Sequence, residues 1–234
     1  MKNFSPWLYQ LDQARESKRL HSELEIDVAI VGAGIAGVAT AFFVLKHTDK
    51  RVAILERFKM AHGATGHNAG QVVSYFERGF ASLVREFGLS AAAAGQKAVE
   101  DAWILLDEMY TEAGLDIPLA RFEGHAGLCS QEQVLSHLEN NRQRLEAGLA
   151  PERLRVADTA PFIAEIPELY AELFSVVSRE EVLGALETES GDYVAVLSSQ
   201  KGCVNSALLC QEVVGYLLRA YPERFALYEH ASVH

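Results

Sequence analysis

The chain is 234 residues long, 49% hydrophobic and 23% charged, with a formal net charge of −11 at pH 7. That is the balance of an ordinary globular protein, long enough to bury a sizeable core in one large or two small domains. The negative charge, with no basic stripe to offset it, argues against a nucleic-acid partner and against an anionic membrane surface.

Residues 1–25 carry Asp12, Glu16, Glu23 and Glu25 and lack the apolar core of a signal peptide. No stretch of the chain approaches the roughly 20 apolar residues of a membrane span. Phe4, Trp7, Leu8, Tyr9 and Leu11 make a short apolar patch, predicted to pack over the outside of the domain that follows.

From Asp27 to Arg57 the sequence reads as a buried strand, a glycine turn, an apolar helix and a second buried strand ending on an acid. Gly32, Gly34 and Gly37 fill a G-x-G-x-x-G frame directly after Val28-Ala29-Ile30-Val31. Gly32 permits the tight turn, Gly34 the approach of a pyrophosphate, and Gly37 the close packing of helix on sheet. The N–H groups and partial positive charge of the helix start, around Ala33, Ile35 and Ala36, suit the phosphates. Glu56, about 20 residues beyond the turn, can accept hydrogen bonds from an adenosine ribose, and Arg57 adjoins it. An acid rather than an arginine at that point favours FAD or NAD over NADP.

Phe58 to Gly70 is a loop of small residues, FKMAHGATGHNAG, expected to wrap a ligand or be wrapped. A helical region follows from about Ala81 to Ala113, weakened at Gly88 and Gly95, with Val99, Trp103, Leu106, Met109 and Tyr110 on one apolar core face. Leu115–Ser130 reads as two short strands around Gly124. Gln131 to Gly148 reads as a polar helix capped by Ser130, and Pro151 to Tyr170 as short helices and loops. Arg179 to Glu189 is a charged segment before the apolar strand Tyr193–Leu197. A helix over Ser206–Tyr221 capped by Asn205 and a strand at Phe225–Tyr228 follow, the last strand running on to Val233. One βαβ unit plus a late strand is too few for a complete doubly wound sheet, so the chain reads as C-terminally truncated.

Cys129, Cys203 and Cys210 have no zinc-like spacing and suggest no redox pair; sparse thiols of this kind fit a reducing cytoplasm. His125, His137 and His230 have no ligand spacing, so no metal site is expected, and surface or loop placement is predicted for them. Cys203 and Ser206 read as packing and cap rather than nucleophile and partner.

The segments DVAIVGAGIAGVATAFFVL, VAILER and GATGHNAGQV together resemble the N-terminal half of the D-amino-acid-oxidase-like FAD-dependent oxidoreductases. Within them the chain is most similar to glycine oxidase, sarcosine oxidase and γ-glutamylputrescine oxidoreductase-like members. Gly202 to Val233 resembles their later strand, helix and strand returning to the adenine. The resemblance implies an α/β fold, a Rossmann-like FAD-binding domain of the glutathione-reductase type interleaved with an α+β substrate domain. Residues 1–25 would be an N-terminal extension, 26–114 the first FAD segment, 115–201 part of the substrate domain, and 202–234 the FAD return segment. It also implies cofactor contacts from Thr65, His67, Asn68 and Gly70 in the loop and from Val233. His67 stands where the family often has Arg. It also stands where a dimethylglycine dehydrogenase-like branch has a histidine bonded to the flavin, so both noncovalent contact and covalent attachment are open.

The activity so implied is oxidation of a carbon–nitrogen bond of an amine or amino acid, with oxygen or another electron acceptor reoxidising the flavin. No catalytic residue is identified; Arg121 and Tyr193 lie in the substrate domain without further support. The alternatives are an inactive nucleotide-binding remnant and an NAD-dependent dehydrogenase, the latter disfavoured by the GATGHNAG loop.

Overall fold

The computed structural model describes residues 5–234. The chain divides into two compact units. One comprises the residues up to Val72 with Leu105–Ala120 and Cys203–His234; the other comprises Val73–Ile104 and Arg121–Gly202.

The first unit begins with a four-residue helix α1 (Pro6–Tyr9) and a long irregular stretch that leads into β1 (Val28–Val31). The glycine turn opens helix α2 (Ile35–His47), and β2 (Val52–Leu55) returns parallel to β1, Val28 opposite Val52 and Val31 opposite Leu55. After a 3-10 turn at Ala64–His67 and a two-residue strand β3 (Gln71–Val72), the chain leaves this unit. It comes back along the C-terminal part of a long helix and ends with α7 (Ser206–Ala220) and β8 (Phe225–Tyr228). β8 pairs parallel with β2, which sets the order β1-β2-β8. Val52, Ile54, Phe225 and Leu227 bury one sheet face with Val38, Phe42 and Leu45 of α2 and Val213 and Leu217 of α7. Each such side chain contributes about 2 kcal/mol by leaving water.

The second unit holds α3 (Phe80–Phe87) and α4 (Leu89–Ala113), the long helix whose end belongs to the first unit. Its sheet is built of β4 (Ala120–Leu128), β5 (Arg153–Ala157), β6 (Ser175–Val177) and β7 (Ala195–Cys203), with α5 (Gln131–Glu146) and α6 (Arg179–Ala185) between them. β7 runs antiparallel to β5, β6 runs parallel to β5, and β4 pairs with β7. Val134 and Leu138 of α5 bury Leu154 and Val156 of β5.

The expected fold class stands: a parallel α/β unit with a mixed α+β unit inserted in its sequence. Several local expectations are corrected. Gly124 does not divide two strands, because β4 is held extended by its pairing with β7. The missing side chain instead makes room for the stem of Lys201, which an added Cβ would meet at 2.4 Å. Arg153–Ala157 is a strand, hidden in the sequence by the flanking prolines. The helical region splits at Gly88, one of its two expected weak points, whose φ of +80° ends α3, and runs unbroken through the other, Gly95. The last strand stops at Tyr228, because His230 turns to φ +55°. His125 lies on β4 and His137 on α5, both half-buried rather than in surface loops.

Of the predicted α4 stripe, Trp103 and Met109 are buried and Val99, Leu106 and Tyr110 half-buried. Ser130 and Asn205 cap their helices as expected. Of the N-terminal apolar patch, Leu11 is buried and Trp7 and Leu8 half-buried, whereas Tyr9 is exposed. Phe4 lies outside the described residues.

Candidate functional site: a glycine turn, an acid and a small-residue loop

The candidate site lies in the first unit, at the C-terminal ends of β1 and β2, where open parallel sheets place their ligands. Gly32 takes φ +100°, a left-handed conformation that costs a side-chain-bearing residue strain, and turns the chain out of β1. At Gly37 an added Cβ would stand 2.0 Å from the Gly32 carbonyl oxygen, so the start of α2 lies directly on the turn. Ala33 is buried, Gly34 half-buried and Ala36 exposed. Ile35 is 37% exposed and Val31 68%.

The first N–H groups of a helix have no intrahelical acceptor, and at α2 one of them is supplied from the loop. The Ile35 N–H donates to Thr65 Oγ1 at 3.0 Å. No side chain of the helix's own N-cap, Gly34, can do this, so Thr65 acts as the cap from thirty residues away. The Glu56 carboxylate accepts from the Ala33 N–H at 2.9 Å and from the Phe58 N–H at 2.8 Å. A carboxylate has about four acceptor positions, so two remain for hydroxyl donors. Arg57 is exposed, its guanidinium over the Phe58 ring at 5.0 Å.

The loop Gly63–Gly70 is held by more groups than its composition suggests. The Asn68 amide donates to Thr65 O at 3.0 Å, its oxygen accepts the Gly70 N–H at 2.7 Å, and the Ser206 hydroxyl donates to Thr65 O at 2.6 Å. Gly70 sits at φ +71°, and Gly66 is packed so closely that an added Cβ would meet Ala61 O at 2.5 Å. His67 is exposed, and its Nδ1 lies 2.9 Å from Gly63 O. A carbonyl oxygen only accepts, so that contact requires a hydrogen on Nδ1. Val233 is 53% exposed, two residues beyond Ala231, whose N–H donates to Glu56 O at 2.9 Å.

The structure therefore brings the glycine turn, Glu56, Thr65 and Asn68 into one connected network, with His67 exposed on the same loop. Sequence reasoning missed Ser5, Trp7 and Ser206 as supports of that loop; the apolar run around Trp7 was the available signal. Arg121 lies in the second unit with its guanidinium 4.9 Å above the Trp103 ring, and Tyr193 packs where a Gly127 side chain would be.

These residues fit a dinucleotide. The backbone at Gly32 and Gly34 carries no Cβ on its approach, the first turn of α2 favours negative charge, and Glu56 retains acceptor capacity. The second unit has a cavity of about 260 Å³ whose lining includes Tyr75, Phe76, Phe80, Leu197, His137 and Lys201. No group of three or more His, Cys, Asp or Glu among the described residues could hold a metal ion. No helix among them is long and apolar enough to cross a membrane.

The chain is 31% identical over 93 residues to a putative Rieske 2Fe-2S iron-sulfur protein of Bacillus subtilis, covering 38% of this chain and 18% of that protein. It is 30% identical over 73 residues to the γ-glutamylputrescine oxidoreductase of Escherichia coli, covering 31% of this chain and 17% of that one. The L-amino acid deaminase of Proteus myxofaciens superposes with a TM-score of 0.60 at 18% identity, covering 92% of this chain and 40% of the deaminase. The chain thus spans less than half the length of each of these proteins. The model of the FAD dependent oxidoreductases, DAO, matches residues 27–221, and the chain belongs to that family.

Proposed function

We propose that this chain binds FAD at the turn and loop just described and forms part of an enzyme that oxidises a carbon–nitrogen bond of an amine or amino acid. The observation that carries the reading is the contact of Thr65 with the N-terminus of α2 beside Glu56, which joins loop and glycine turn into one site. FAD, when bound, supplies a hydride acceptor at its N5, and oxygen or another acceptor reoxidises it.

The chain's own residues bind and orient. Gly32, Ala33, Gly34, Ile35, Ala36 and Gly37 admit the pyrophosphate to the positive end of α2. Glu56 takes the adenosine ribose, with Arg57 and Val233 flanking it. Thr65, Asn68 and Gly70 would hold the loop at the cofactor site, where His67, exposed on the same loop, would offer its ring. The names of the deaminase and of the γ-glutamylputrescine oxidoreductase support an amine or amino-acid substrate class. The sparse thiols suit a reducing cytoplasm.

A visible absorption spectrum of the purified chain tests the proposal. Flavin absorption that bleaches under anaerobic amine or amino acid is the expected result, and a colourless protein that takes up no added FAD refutes it. The short share of its relatives that the chain spans favours one second reading, a portion that holds FAD without turning substrate over; flavin that never bleaches selects it. Acid precipitation decides the attachment: colour kept in the pellet supports a bond to His67, and colour released to the supernatant supports noncovalent contact.

A further inference from the structure

We propose that Ser5–Leu11 is a strap that sets the conformation of the loop Gly63–Gly70, with Trp7 as its positioning residue. The loop is rich in glycine and alanine, so its backbone has much freedom to lose and few side chains to hold it. The strap supplies what is missing. The Trp7 indole N–H donates to Asn68 O at 2.7 Å. The Asn205 amide in turn donates to Trp7 O at 3.3 Å, tying the strap to the capped start of α7. The Ser5 hydroxyl, buried, donates to Gly66 O.

Packing repeats the same contacts. A Cβ at Gly70 would meet the Trp7 ring at 2.8 Å, and one at Gly66 would meet the Leu8 side chain at 2.5 Å. Both glycines are thus places where the strap lies directly on the loop backbone. The consequence reaches the cofactor site through named bonds. Trp7 holds Asn68, Asn68 holds Thr65 O, and Thr65 Oγ1 caps Ile35 at the start of α2. A loop released from the strap moves Thr65 away from the phosphate end of the helix. The cofactor part of this inference rests on the proposed FAD site; the ordering of the loop does not.

Two measurements on the full chain separate these parts. Hydrogen exchange in the ligand-free protein reads the amides of Ile35, Gly66, Gly70 and Val204, which bond to Thr65, Gly63, Asn68 and Gly70 respectively. Trp7→Ala is expected to speed their exchange at least tenfold while the β1, β2 and β8 amides stay unchanged. Trp7→Phe keeps an aromatic ring in the strap but loses the indole donor and the Cζ2 that lies on Gly70, so it falls between. Tyr9→Ala, on the same short helix but 82% exposed, leaves all of them as they were. Unchanged loop exchange in Trp7→Ala, or a uniform rise across the unit's strands, overturns the strap. FAD titration is the second arm: if the parent chain binds FAD, Trp7→Ala is expected to weaken it about tenfold and Trp7→Phe less. Equal affinity in parent and Trp7→Ala overturns the cofactor role of the strap. Failure of the parent to bind FAD overturns the FAD reading and leaves exchange to decide the ordering role.

Discussion

Gly37→Ala sets two opposing effects against each other. Gly37 is the third residue of α2, where alanine gains about 1 kcal/mol over glycine in helix propensity. Its Cβ, however, would stand 2.0 Å from Gly32 O, 3.2 Å from Gly32 C and 3.3 Å from Ile30 Cγ2. The nearest two are backbone atoms of the turn and cannot rotate away, so the helix must retreat from β1 by about 1 Å in a close-packed interior. Overpacking costs about 1–3 kcal/mol, and a rigid partner puts this site at the upper end, for a net destabilisation of about 2 kcal/mol. Urea unfolding followed by far-UV circular dichroism measures it. Gly215→Ala in α7 is the paired control, since its nearest neighbour is the flexible end of Arg219 at 3.3 Å. It is expected to gain about 0.5–1 kcal/mol. If Gly37→Ala is as stable as the parent, the close approach of helix and turn is wrong, and the phosphate site built on it goes with it.

Glu229 is fully buried, bonded to the Met60 N–H at 2.7 Å and to Arg15 and Ser17, so Glu229→Ala is expected to cost about 3–5 kcal/mol in the same assay. Burial pushes this carboxyl upward, but the Met60 N–H, the Ser17 hydroxyl and the Arg15 guanidinium outweigh it and hold it below the usual carboxylate range. A depressed folded value gives stability that is complete above the unfolded value and lost as pH falls through the folded one. Thermal melting should therefore show an acid limb below about pH 4.5 that flattens in Glu229→Gln, and an unaltered limb would count against the pairing. Thr65→Val removes the acceptor for the Ile35 N–H and is expected to cost about 1 kcal/mol, with Thr65→Ser restoring it; equal stability of the two variants would deny the capping role. Burial pushes the Cys210 thiol up to about 12, whereas Cys129 is exposed. Iodoacetamide on the native chain should label Cys129 and spare Cys210 until urea is added, and mass spectrometry that finds both labelled at one rate refutes the burial.

Legibility in the sequence followed the range of the interactions involved. The strand, turn and helix from Val28 to His47 were readable because β-branched runs, glycine spacing and an apolar helix are local signals. Arg153–Ala157 was not, since its extended form depends on pairing with β7, forty residues on, while nearby prolines argue for loop. The single strand through Gly124 was hidden for the same reason. In the site, Gly32, Glu56 and Thr65 were legible as residues, but the bond from Thr65 to the start of α2 was not. Trp7 was legible only as an apolar residue that would pack somewhere.

By itself the sequence determined the fold class and the chemistry available at the dinucleotide turn, because backbone stereochemistry and the helix dipole act within a few residues. Only the tertiary structure decided that the loop Gly63–Gly70 caps α2 through Thr65, that Ser206 anchors it, and that Trp7, itself bonded to Asn205, lies across it. These contacts join segments thirty to about two hundred residues apart. Their closure is decided by which surfaces the sheet and helices bring together, a matter on which no local pattern carries information.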